Sequence, residues 1–140
     1  SLYDHIELEA YDQKDKSFYF LKRASLFDYD FIEEDNYELD RIIHQFCKEL
    51  DIDSVDVEIL KNANYPSAKG STLTADGQFL NIKVIIKGPF YYLLTCVSDQ
   101  PKTSNYFFDS FHFHEFKYSF NFENKVDSTL YFTTNSSASR

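Results

Sequence analysis

An eight-residue run that is apolar on both of its faces, Phe90 to Val97 (FYYLLTCV), limits the folds open to this chain more than any other feature. Strand side chains point alternately to the two faces of a sheet, so a strand with one wet face carries a polar residue at every second position. Only Thr95 interrupts this run. The run therefore belongs in the middle of a sheet that is covered on each side. It is also far shorter than the roughly 20 apolar residues that a membrane-spanning helix requires. Just before it, Leu80, Ile82, Val84 and Ile86 alternate with Asn81, Lys83 and Lys87, and Gly88-Pro89 separates the two segments. That pattern is a hairpin closed at Lys87-Gly88-Pro89.

Period-two alternation recurs at Ile6, Leu8 and Ala10 and at Val55, Val57 and Ile59, each interleaved with polar residues. Phe18 to Leu21, Phe27 to Phe31 and Leu73 to Ala75 are shorter strand candidates. One segment changes period: Leu39, Ile42, Ile43, Phe46, Cys47 and Leu50 form a single apolar stripe at helical spacing, which predicts a helix over 36–50. Asp35 with Glu38 three residues on reads as an acidic variant of the capping box. Pro101, followed by Tyr106, Phe107, Phe108 and Phe111, predicts a short helix near 100–109 with Pro101 in its first turn. The fold class is therefore α+β: a mostly antiparallel sheet packed by one long helix (36–50) and a short helix near 100–109.

The 140 residues suffice for one domain burying roughly 68% of its unfolded surface. Three glycines and three prolines argue against a linker. The formal charge of −9 offers no positive field for a phosphate backbone, so nucleic acid is not an expected partner. That charge is uneven. Residues 1–60 hold 17 acids and 6 bases, and Asp28 to Asp40 alone carries seven carboxylates. This acidic run lacks the glycine that turns a calcium loop and reads as a solvated loop leading into a helix, where the dipole favours carboxylates. Methionine is absent even at position 1, which reads the chain as a piece of a larger protein, and no basic-then-apolar leader is present. Cys47 and Cys96 have no metal or redox spacing and read as two separate buried thiols rather than a disulfide.

A set of short motifs carries a resemblance. Tyr65-Pro66 after a strand, the basic hairpin Lys83 to Tyr92 running into Leu93-Leu94, and Phe107-Phe108-Asp109-Ser110-Phe111 before a last strand resemble the PsbP-like α-β-α sandwich over residues 1–114. The chain departs from that pattern in having Tyr65-Pro66-Ser67 without a glycine, and in lacking the Phe-Pro signature in its N-terminal strands. The resemblance implies an adaptor domain without a shared catalytic apparatus, from a bacterial protein and leaning towards the cell envelope or periplasm over the cytoplasm. It transfers no site residues.

His112-Phe113-His114 is the one pattern with metal-ligand spacing, since alternate strand residues share a face. Two imidazoles do not complete a site, and with Phe111 and Phe113 on the other face they are more simply the wet side of an amphipathic strand. Asp109-Ser110 beside His112 lacks the geometry of a hydrolase, because adjacent strand positions face opposite ways. No catalytic signature, cofactor loop or repeat is present, so the chain reads as a non-enzyme. After His114 the apolar phase slips from odd to even positions, at Phe116, Tyr118, Phe120 and Phe122. A period-two strand does this only through a bulge, a bend or a change of partner. The compact domain is therefore expected to be 1–114. Residues 115–140 are then a strand-like extension or the start of a following domain, with 136–140 flexible. The aromatic segment 116–132 either folds onto this sheet or provides self-association. Three functions follow: an adaptor binding a protein or a neighbouring domain, an acidic inhibitor or immunity-type protein meeting a basic partner through 28–40, and a metal-binding module through His112 and His114.

Overall fold

In the computed structural model, residues 5–26 and 34–113 are described in full and residues 130–132 by their backbone. Six strands make one antiparallel sheet: β1 (Ile6–Asp12), β2 (Ser17–Ser25), β3 (Asp56–Leu60), β4 (Ser67–Leu73), β5 (Phe79–Lys87) and β6 (Phe90–Ser98). Their order across the sheet is β1-β2-β6-β5-β4-β3. The doubly apolar run is β6, in the interior of the sheet between β2 and β5. Its alternate side chains enter two separate cores, Leu93 on one face and Tyr92 and Leu94 on the other. The hairpin into it pairs Lys87 with Phe90 across a two-residue turn. Gly88 there takes φ +63°, a conformation that glycine adopts without penalty at the first central position of a tight hairpin turn.

Helix α1 (Asp35–Glu49) lies across β3, β4 and β5 on the first face. Its stripe of Leu39, Ile42, Ile43 and Cys47 is buried against Ala68, Leu80, Ile82, Val84 and Ile86. The shorter α2 (Thr103–Ser110) packs on β6 on the opposite face, where Phe108 joins Leu21, Ile85, Tyr92 and Leu94. The two helices thus cover diagonally opposite parts of the sheet. After α2, β7 (Phe111–Phe113) pairs antiparallel with β8 (Leu130–Phe132), Phe111 opposite Phe132.

Several expectations shift. Helix α1 starts one residue earlier and ends one earlier than the 36–50 read from the stripe, and Leu50 is left 47% exposed just past its end. The capping box does not form. Glu34 is the cap and makes no side-chain cap hydrogen bond, so Asp35 already lies inside the first turn. Glu38 is instead only 4% exposed and accepts a hydrogen bond from Arg41 Nε at 3.0 Å. Pro101 sits in the turn before α2 rather than in its first helical turn, and α2 runs three residues later at its start than the 100–109 expected. Of the Leu73–Ala75 candidate only Leu73 is strand, the last residue of β4, which is made mostly of small residues; Thr74 and Ala75 lie in the turn that follows. The Phe27–Phe31 candidate, the phase slip after His114, the 115–140 extension with its boundary, and the 136–140 tail lie outside the described residues, apart from the β8 backbone.

A chain of hydroxyls ties the end of the β1–β2 hairpin to the start of α2. Ser17 Oγ donates to Ser98 Oγ at 3.0 Å, and Ser98 Oγ to Thr103 Oγ1 at 3.2 Å. Thr95 contrasts with it: on the α1 face of β6, 2% exposed, its hydroxyl meets no hydrogen-bond partner among the described residues. An enclosed hydroxyl without a partner costs about 1–3 kcal/mol. Thr95→Val keeps the branched shape and removes that cost, so it is expected to stabilise the protein by about 1 kcal/mol. Urea titration checks this as a higher midpoint with an unchanged slope, and an unchanged or lower midpoint would contradict it.

Candidate functional site

Two places combine exposure with concentrated chemistry. The first follows from the charge pattern of the chain. Between residues 34 and 53 there are seven acids and two bases, whereas the described segments 5–26 and 54–113 each balance acid against base. The net charge of the described residues therefore resides on α1 and the turn that leaves it. Glu34, Asp35, Asp40, Glu49, Asp51 and Asp53 are exposed. Glu38 is the exception, turned inward and held by Arg41. The helical period explains the division: Leu39, Ile42 and Ile43 must face the sheet, which leaves Asp40, His44 and Glu49 towards water. His44 Nδ1 lies 3.3 Å from Asp40 Oδ2, one turn away on the same exposed side. Residues 28–33 of the acidic run lie outside the described residues.

The second place is a cleft of about 170 Å³ on the face of the sheet that α2 only partly covers. Strand register builds it. Glu58, Lys69 and Lys83 stand side by side on β3, β4 and β5, and Asp56, Ser71 and Asn81 form the next row. The first turn of α2, with Ser104 and Asn105, and the ring of Phe108 make the opposing wall. Lys69 Nζ rests 6.0 Å from the centroid of that ring. Lys83 is half-buried, and burial first, then the neighbouring Lys69, lower its pKa below the usual lysine value, with Asp109 pulling the other way. Among the described residues no carboxylate reaches ion-pair distance of either lysine. Like charges directly opposite across a sheet are destabilising, which makes this pair a feature needing a counter-charge.

The histidine pattern is only half described. His112 is exposed on β7, while Phe111 is buried and Phe113 is half-buried on the other face, edge-on to Tyr92 and Tyr65. His114 lies outside the described residues, as do the residues that directly follow it. Among the described residues no group of three or more His, Cys, Asp or Glu side chains is placed to hold a metal ion. Cys47 and Cys96 are free thiols, each 1% exposed, on opposite faces of the sheet. Burial pushes the Cys47 thiol up, and burial followed by Asp15 pushes the Cys96 thiol up to about 12. Such thiols stay protonated and are poor nucleophiles.

The acidic run is legible in the sequence, and the cleft is not. Lys83 was visible as a charge in an otherwise apolar alternation. Its partner Lys69 sits on β4, whose small side chains carry no strand signature. Comparison with family models, with curated proteins and with solved structures returns no match for this chain. No helix among the described residues is long and apolar enough to cross a membrane.

Proposed function

We propose that the chain is a non-catalytic protein-binding domain that meets a basic partner along the outward side of α1 and the turn after it. The carrying observation is the segregation of charge: six exposed carboxylates between Glu34 and Asp53, whereas the other described segments balance acid against base. A one-sign patch of this kind steers association and selects a partner of opposite sign more than it adds affinity. The layering of helices on opposite faces of a central sheet supports kinship with PsbP-like sandwiches, and with it an adaptor role inside a larger bacterial envelope protein. The stand-alone alternative is an inhibitor or immunity-type protein that uses the same acidic side.

The test is capture of interacting proteins from a cell extract with the wild-type chain and with a triple variant, Asp40→Lys, Glu49→Lys and Asp53→Lys. These positions are exposed and unneeded by the core, so the variant keeps the wild-type circular dichroism spectrum and melting behaviour. The expected result is a basic partner whose affinity falls at least about tenfold in the variant, roughly 1.4 kcal/mol. Its binding weakens as added salt shortens the screening length below about 10 Å. A partner that binds both forms equally, at low and high salt, would overturn the acidic-side reading.

A further inference from the structure

The cleft beneath α2 carries a separate inference, independent of the protein-binding reading. Its charged groups are arranged by sign. The inner end holds Lys69 beside Phe108, with Lys83 directly opposite on the neighbouring strand. The outer wall, on edge strand β3, holds Asp56 and Glu58, both exposed. Ser71 and Asn81 in the adjoining row, and Ser104 and Asn105 on the opposing wall, have side chains that make no hydrogen bond to other described residues; Ser104 is only 4% exposed and still lines the cleft. Ser104 and Asn105 belong to the first turn of α2, where the helix dipole favours negative charge, although the N–H groups of Thr103 and Asn105 already donate to the carbonyls of Gln100 and Lys102.

A simple anion would satisfy the lysines and be repelled by β3, and a simple cation would meet the reverse. The volume, about 170 Å³, is well under the roughly 300–1,000 Å³ of pockets that take drug-sized ligands. We propose that this cleft binds a small zwitterion of amino-acid size, its carboxylate received by Lys69 and the first turn of α2 and its ammonium by Asp56 and Glu58. Ser71, Asn81 and Asn105 then orient the ligand with neutral donors and acceptors. In the complex the ligand carboxylate adds a negative charge at a lysine pair that no carboxylate among the described residues reaches at ion-pair distance.

The experiment is a heteronuclear NMR titration of the intact chain with free amino acids as probes, and with acetate and methylammonium as the two half-ligands. Saturable shifts are expected at the amides of Ser71, Asn81, Ser104 and Asn105 with at least one amino acid, and the two half-ligands should bind at least tenfold more weakly. Lys69→Gln and Asp56→Asn should each weaken binding at least tenfold while leaving the rest of the spectrum unchanged. Lys69→Gln also relieves the repulsion with Lys83, so loss of binding in a fold at least as stable cannot be ascribed to unfolding. Saturation by acetate alone with equal affinity would overturn the zwitterion in favour of a plain anion site. Absence of saturable shifts, or indifference to both substitutions, would remove the site altogether. None of these outcomes touches α1, so they leave the acidic-side reading standing or falling on its own test.

Discussion

Gly70→Ala is expected to destabilise the protein by about 1–3 kcal/mol although it adds only one methyl group, and Gly70→Val by more. Gly70 lies on β4 directly under α1, and a Cβ built there would stand 2.8 Å from Ile43 Cγ2 and 3.2 Å from Val55 Cγ2. No real Cβ sits that close to a neighbour, so something must move. Ile43 is fully buried in the centre of the α1 stripe, among Leu39, Ile42 and Cys47, and cannot swing away without disturbing that packing. Interiors at crystal-like density answer such an insertion by backbone shifts and off-rotamer side chains. Chemical denaturation of the single variants and of the Gly70→Ala/Ile43→Ala pair provides the check. Removing Ile43 opens the space that the new methyl requires, so the double variant should lose less than the sum of the two singles by at least about 1 kcal/mol. Simple additivity would mean that α1 does not press on β4 at this point.

The same contact explains what could be read from residues alone and what could not. The α1 stripe, the β5–β6 hairpin and the central place of β6 were legible because each depends on a local period: 3.6 at Leu39 to Cys47, two at Leu80 to Ile86, and a doubly apolar run at Phe90 to Val97. Strand β4, SAKGSTL, has no such period. Its composition answers to a neighbour that is 27 positions away in the sequence, Ile43, whose approach requires that Gly70 have no side chain. The capping box failed for a local reason. The helix begins one residue earlier, with Glu34 as its cap, and Glu38 at the edge of the buried stripe pairs with Arg41 one turn on in the same helix, so no side chain is left to close the box. The acidic surface was legible since charge counting needs no fold. The cleft was not, because Lys69, Lys83, Asp56 and Ser104 meet only through strand register and the placement of α2.

Alkaline pH is expected to unfold the protein steeply between about 9 and 12, and the protons responsible can be named. Burial, then Asp15, holds the Cys96 thiol up to about 12 against an ordinary value of 9.0. Burial, with Asp15 and Cys96 adding and the Ser17 hydrogen bond opposing, holds the Tyr19 phenol up to about 12 against 10.0. These two face each other across β2 and β6 as a register pair. Burial raises Cys47 and Tyr92 as well. In each case the unfolded chain releases its proton at the ordinary pKa while the folded protein still holds it. The unfolded state therefore binds fewer protons across this interval, and stability falls as pH rises. At ~1.4 kcal/mol per pH unit, Cys96 alone withdraws on the order of 2–4 kcal/mol by the top of the range. Lys83 works in the opposite sense. Its folded pKa lies below 10.5, so the folded protein releases that proton first and gains stability as pH rises towards 10.5, one group against four. Urea midpoints measured under reductant from pH 8 upward should fall continuously, and Cys96→Ala should flatten the slope whatever it costs at pH 8. A wild-type midpoint that stays level up to pH 11 would mean that Tyr19 and Cys96 are hydrated, and that the second core, beneath α2, is looser than its packing indicates.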